Sequence, residues 1–120
     1  MPLTLLRLLV CGGRDYQDAD RVDAVLSRVH AERTIVCIIE GGARGADWLA
    51  AQWAKANRVQ HKRFPANWER DGRRAGSIRN ALMLQLGAPH AVIAFPGGNG
   101  TADMIRKARA ANVPVWEIAP

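Results

Sequence analysis

The sequence predicts a three-layer α/β/α domain built on a parallel five-stranded sheet, on three observations. Short apolar runs alternate with segments of helical periodicity along the whole chain. The runs are nearly continuous in Val, Ile and Leu, the pattern of strands covered on both faces. Three of them end in glycine-rich turns that open into a helical pattern, and three such turns can meet in one place only if their strands run parallel.

The first strand is the run Leu5-Leu6-Arg7-Leu8-Leu9-Val10-Cys11, which belongs in the middle of the sheet. After the Gly12-Gly13 turn, Asp18 is placed to cap a helix whose apolar face is Val22, Val25, Leu26 and Val29. Residues 34–39, Thr-Ile-Val-Cys-Ile-Ile, form the second strand, ended by Gly41-Gly42. From Arg44 a second helix carries Ala46, Leu49, Ala50, Trp53 and Ala54 on one face, with Asp47 in the first turn, where the helix dipole favours a carboxylate.

Residues 59–64 are short and basic, as suits an edge strand. Residues 65–74 show no apolar periodicity and read as a loop, a lid in which Trp68 stacks on a base and Arg73 and Arg74 reach phosphate. A solvated basic loop with Trp68 laid over the core edge is the alternative. A third helix follows from residue 75 to 86, with Ile78, Ala81, Leu82 and Gln85 along one stripe and Gly87 and Pro89 as its stop. Arg79 in its early turns runs against the helix dipole, a conflict that a bound anion would relieve.

Residues 90–95 are the fourth strand. The helix after Thr101 is expected to turn Ala102, Ile105 and Ala108 inward and Arg106, Lys107 and Arg109 to solvent, with Asn112 as its cap. Residues 113–118 supply a last strand that Pro114 places at an edge. With right-handed crossovers the order is 3-2-1-4-5, which sets the loops after strands one and four on either side of the point where strand order reverses, the usual ligand crevice of open α/β sheets.

Bulk properties narrow the function. A chain of 120 residues is expected to be one domain spanning 1–120. The formal charge of +6 favours an anionic partner. No apolar run is long enough to cross a bilayer, and the Thr4 to Val10 run is too short for a signal peptide, so the expectation is a cytoplasmic protein without membrane partners. Cys11 and Cys37 lack ligand spacing and read as reduced core residues. The histidines His30, His61 and His90 show no metal spacing, so no metal is expected.

The stretch Val92-Ile93-Ala94-Phe95-Pro96-Gly97-Gly98-Asn99-Gly100-Thr101-Ala102-Asp103 is the centre of the functional reading. Its glycines remove the Cβ atoms that would hold backbone amides away from an anion, and the helix after it offers unpaired N–H groups. Pro-Gly-Gly is also a common tight turn. The dinucleotide G-x-G-x-x-G and Walker patterns are missing, which disfavours a dehydrogenase or P-loop NTPase. Ser77 lies outside any G-x-S-x-G motif, so acyl transfer has little support.

Four motifs taken together, Gly12-Gly13-Arg14-Asp15, Gly41-Gly42-Ala43-Arg44-Gly45-Ala46-Asp47, Ser77-Ile78-Arg79-Asn80 and Pro96-Gly97-Gly98-Asn99-Gly100-Thr101, resemble the SLOG superfamily, and most closely its small YspA/YpsA-related bacterial and phage domains. The resemblance spans essentially the whole chain. It implies a Rossmann-like domain that binds a small anionic nucleotide or nucleotide-derived ligand, with no cofactor required, and a homodimer or higher assembly, for which the apolar Trp48 and Trp116 are candidate surfaces. The implied ligand-binding residues are Gly12, Gly13, Arg14, Asp15, Gly41, Gly42, Arg44, Gly45, Asp47, Arg79, Asn80, Pro96, Gly97, Gly98, Asn99, Gly100 and Thr101.

In the LOG phosphoribohydrolases of that superfamily a Pro-Gly-Gly-x-Gly-Thr-x-Glu motif and a preceding Arg serve N-glycosidic hydrolysis of nucleoside monophosphates. By that resemblance, and only if the protein is an enzyme, Arg79 would stabilise charge and Asp103 would occupy the acidic position, its carboxylate orienting water or stabilising an oxocarbenium-like sugar. Asp for Glu shortens the reach, and Met104 stands where a second acid is expected. Three functions stay open, in this order: a nucleotide-ligand sensor or binding domain, a LOG-like hydrolase, and DprA-like nucleic-acid binding, which the positive charge would suit.

Overall fold

The computed structural model describes residues 5–120; the Thr4 end of the first apolar run lies outside them. Five strands, β1 (Leu6–Cys11), β2 (Ile35–Glu40), β3 (Gln60–Arg63), β4 (Ala91–Ala94) and β5 (Val115–Glu117), make one sheet in the order β3-β2-β1-β4-β5. Every pairing is parallel. The Rossmann-like α/β architecture and the order 3-2-1-4-5 expected from the sequence are both present.

The continuous apolar runs are explained by what lies on each side of the sheet. On one face α1 (Ala19–Glu32) and α2 (Ala46–Ala56) lay Val22, Leu26, Ala50 and Trp53 against Leu6, Leu8, Val10, Ile38 and Ile93. On the other, α4 (Ala75–Gly87) and α5 (Asn99–Ala110) bring Met83, Met104 and Ala108 onto Leu9, Cys37, Ile39 and Val92. Alternate strand residues thus feed two separate cores. Asp18 caps α1 as its sequence position implies, accepting a bond from the Arg21 N–H at 3.0 Å.

Several local expectations change. Residues 65–74 are more ordered than a plain loop: Asn67 accepts from the Arg70 N–H at 3.0 Å and caps a single turn, α3 (Trp68–Asp71), which runs into a 3₁₀ turn at Gly72–Arg74. The buried stripe of α4 is Ala75, Asn80, Met83 and Gly87, while Ala81, Leu82 and Gln85 face solvent. A polar residue, Asn80, sets that rotation through bonds described below, and apolar periodicity cannot reveal it. Gly87 ends the stripe because a Cβ there would lie 3.1 Å from Ile39 Cγ2. The left-handed residue that stops the helix is Ala88, at φ 48°, one position later than expected.

The fifth helix begins at Asn99, two residues before Thr101, with Gly98 at its N-cap. Its buried residues are Thr101, Met104 and Ala108; Ala102 faces solvent. Starting the helix earlier rotates the face that meets the sheet. Strand order reverses between β1 and β4, so the C-terminal ends of these strands open on the crevice where α/β sheets bind ligands.

Candidate functional site

The three glycine turns are tied to one another by their backbones. The Gly13 N–H donates to Pro96 O at 2.9 Å, the Phe95 N–H to Cys11 O at 2.9 Å, and the Ala46 N–H to Gly13 O at 3.2 Å. Gly45 has φ +79°, and any Cβ on it would run into the carbonyl oxygen of Gly13. This glycine lets the second turn press against the first.

The turns enclose a cavity of about 460 Å³ at the C-terminal end of β1. Gly12, Gly13 and Arg14 line it from the first turn, Ala43 and Asp47 from the second, and Gly98, Asn99, Gly100 and Thr101 from the fourth strand's turn and the start of α5. Arg79 and Asn80 of α4 and Trp68 of α3 complete the wall. The first bond across the α5 N-terminus is from the Ala102 N–H to Gly98 O, at 3.0 Å, so the amides of Asn99, Gly100 and Thr101 precede the intrahelical ladder and face the direction that attracts an anion.

Gly41, Gly42 and Arg44 line an adjoining lobe of about 440 Å³ that shares Arg14, Ala43, Trp68 and Arg79 with the first. The remaining candidates sit elsewhere. Pro96 and Gly97 line neither lobe but a third groove, bordered by Phe95, Ile105 and Ile118, that adjoins the cavity at Gly98 and Thr101. Asp15 lies outside both lobes, 3.6 Å from Arg44. Gly45 packs the loops together. Arg73 and Arg74 are exposed on the 3₁₀ turn and line neither lobe, whereas Trp68 lines both. The one-turn helix explains the split, because it turns Trp68 inward over the cavity while the next turn carries the two arginines away.

A chain of polar contacts fixes the wall. The Asp47 carboxylate accepts from the N–H groups of Gly41 at 3.1 Å and Ala43 at 3.2 Å. Burial pushes its pKa up to about 6, and those two amides and the Arg79 charge only partly offset the rise. Arg79 donates to Gly41 O and, through Nε at 3.0 Å, to Asn80 Oδ1. Burial lowers its pKa, against the pull of Asp47. Asn80 Nδ2 donates to Gly100 O at 3.1 Å and Asp103 Oδ2 at 3.0 Å, so each donor and acceptor of this buried amide is engaged.

Asp103 does not line the cavity. Its carboxylate accepts from Lys107 at 2.6 and 2.7 Å, Arg106 at 3.0 Å and Ser77 Oγ at 3.3 Å. Burial would raise its pKa, but the bonds from Lys107 and Asn80 outweigh that and hold it below the usual carboxylate value. Lys107 and Arg109 are therefore not a simply solvated face: the first is tied to Asp103 and the second to Glu117 at 2.9 Å. Lys107 Nζ also donates to Ser77 Oγ at 2.6 Å, so that hydroxyl belongs to the same brace as Asp103.

Sequence reasoning did not assign Cys11, Ala43, Gly76 and Met83 to the wall. Gly76, beside Ser77 at the start of a helix, was the available signal; Cys11 and Met83 look like core residues and are core residues as well. Burial pushes the Cys11 thiol up to about 12, with Asp47 adding to the rise, so it is an uncharged part of the floor. Glu40 was also missed. It is fully buried at the end of β2 and bonded to the Gly42 N–H and, at 2.8 Å, to Arg63 Nε. Among the described residues no group of three or more His, Cys, Asp or Glu side chains could hold a metal ion, and no helix is long and apolar enough to cross a membrane.

The family model described as YspA, cpYpsA-related SLOG family matches residues 6–70, from β1 through most of α3. This chain belongs to that family. The chain is also similar to the Gene 61 protein of Mycobacterium phage D29, 37% identical over an alignment of 117 residues, with 91% of this chain and 93% of the phage protein covered. The matched family region contains the first two glycine turns and Trp68; the α4 and α5 parts of the cavity lie beyond it.

Proposed function

We propose that this SLOG protein is a sensor or binding domain for a nucleotide or nucleotide-derived ligand, held in the crevice at the C-terminal ends of β1 and β4. One observation carries the reading: the free amides of the α5 N-terminus and the guanidinium of Arg79 line the same cavity, about 460 Å³ in volume, with the indole of Trp68 on its wall. The amides and the guanidinium suit a phosphate, and the indole suits a base. A cavity of this volume falls in the usual range for small-molecule sites, ~300–1,000 Å³.

Binding is favoured over N-glycosidic hydrolysis because Asp103, the residue in the acidic position of the LOG motif, is outside the cavity wall and engaged by Lys107 and Asn80. Its part is to position Asn80. The test is native mass spectrometry of the freshly purified protein against a nucleotide panel, with chromatography of the recovered ligand. A bound and chemically intact nucleotide is the expected result; release of free base from a nucleoside monophosphate would overturn the sensor reading in favour of the hydrolase. Steeply salt-dependent affinity for oligonucleotides, with no small ligand bound, would move the function to nucleic-acid binding.

Assembly into a homo-oligomer belongs to the same proposal. Trp48 is 53% exposed and Trp116 39%, and Leu82 and Leu86, one turn apart on α4, are 36% and 60% exposed. The native mass spectrum reports the assembly size directly, and a monomer at micromolar concentration would remove this part.

A further inference from the structure

The cavity does not end at Trp68. Lobe one, which reaches the α5 N-terminus, and lobe two, which reaches Gly42 and Arg44, meet at a waist formed by Arg14, Ala43, Trp68 and Arg79. The second lobe has no acidic side chain among its described lining residues and three arginines, Arg14, Arg44 and Arg79. Its other walls are small or apolar, including Pro65 and Ala66, so no carboxylate in the lobe's own lining competes with an anion for them.

Arg14 and Arg44 are only lightly committed, whereas Arg79 is held by Gly41 O and Asn80 Oδ1. Arg14 is stacked on the Trp68 ring, its guanidinium carbon 5.2 Å from the ring centroid. Arg44 has a loose pair with Asp15 at 3.6 Å between side chains 77% and 95% exposed, which an incoming anion can replace at little cost. Along the cavity the order is therefore anion site, aromatic face, anion site. Two adjacent phosphates of a nucleoside diphosphate would fall on one side of a base stacked at Trp68, whereas phosphates on opposite ends of a sugar would fall on both.

We propose that the ligand is a nucleotide phosphorylated at both ends of its sugar, as in a short phosphodiester-linked nucleotide, with one phosphate at the α5 amides and Arg79 and the other between Arg14 and Arg44. This rests on the nucleotide-binding reading above and specifies the ligand class. Charge-assisted bidentate bonds from arginine supply both affinity and placement for the second phosphate.

Isothermal titration with four series, each comprising one ribonucleoside's 5′-monophosphate, 5′-diphosphate and 3′,5′-bisphosphate at fixed salt, tests this. In the series with the preferred base the bisphosphate is expected to bind about tenfold tighter than either other form, and Arg44→Gln is expected to remove most of that preference. The bisphosphate and diphosphate carry the same number of phosphates, so equal affinity for the two would mean that charge alone is read and would overturn the proposal. Full preference retained in Arg44→Gln would also overturn it. Monophosphate binding with no gain from a second phosphate removes this inference and leaves the proposed function standing; absence of binding by every member removes both.

Discussion

The Nζ atom of Lys107 lies 2.6 and 2.7 Å from the two carboxylate oxygens of Asp103, one turn away on α5, and Asp103 in turn accepts from Asn80 at 3.0 Å. The acid in the signature of the Pro-Gly-Gly turn thus braces the cavity wall from behind. Its side chain is 15% exposed and that of Lys107 29%, so the pair is shielded enough to matter.

Asp103→Asn is expected to cost on the order of 1–2 kcal/mol of stability, because a neutral amide loses the charge that holds Lys107 and Arg106 and puts an NH₂ where the carboxylate's second oxygen accepts. The cost of Lys107→Met should be markedly smaller in the Asp103→Asn background than in the native protein, since the partner has already gone. Thermal denaturation of the four proteins of this double-mutant cycle measures the coupling. Strict additivity would show that the two side chains do not act together.

Two glycines that look alike in the sequence should respond oppositely to a methyl group. Gly45→Ala combines φ +79° with a Cβ driven into the Gly13 carbonyl, and should lower stability by about 2–4 kcal/mol or prevent folding. Gly98→Ala meets nothing within 4 Å and has an ordinary negative φ of −103°, so its melting temperature should change by only a few degrees, while the added methyl at the α5 N-cap weakens anion binding. Melting curves paired with ligand titration separate the effects; equal melting temperatures for both variants would contradict this packing of the turns.

Trp68 is 49% exposed and touches the core little, so Trp68→Ala should leave the melting temperature nearly unchanged. Base stacking on an aromatic residue is worth ~1–3 kcal/mol. Loss of the indole should therefore weaken nucleotide affinity by roughly tenfold, with Trp68→Phe intermediate. Unchanged affinity in Trp68→Ala would take the aromatic wall out of the recognition scheme.

Strand order, the two-faced core and the convergence of the glycine turns were legible because each depends on a local pattern: continuous apolar runs, helical spacing, and glycine at strand ends. What the sequence hid depends on polar contacts between distant segments. Asn80 turns α4 by bonding to Gly100 and Asp103, residues 20 and 23 positions away, so the apolar stripe read at Ile78, Ala81, Leu82 and Gln85 is not the one that is buried. Asp103 was read from its place in a motif as a residue facing ligand, and its direction is decided by Lys107. Arg73 and Arg74 share a segment with Trp68, but a one-turn helix too short for periodicity to register sends them the other way.

Asp47 makes the site sensitive to pH. Burial raises its carboxyl from the ordinary 3.8 to about 6, so between these values the folded protein keeps a proton that the unfolded chain has released. The stability this contributes is fully present below about pH 4 and is lost as pH rises through about 6, a change on the order of 3 kcal/mol. In the same window, protonation removes a negative charge beside Arg79, so an anionic ligand should bind more tightly as pH falls from 8 to 5. Asp47→Asn keeps one oxygen able to accept from Gly41 and Ala43 and cannot ionise. It should be more stable than the native protein at pH 8, and should lack this part of the pH dependence of both stability and binding. Every other ionisable group, the ligand's own phosphate included, is common to both proteins, so the difference between the two profiles belongs to Asp47. Parallel profiles for the two proteins, in denaturation and in titration alike, would show that Asp47 is already ionised throughout.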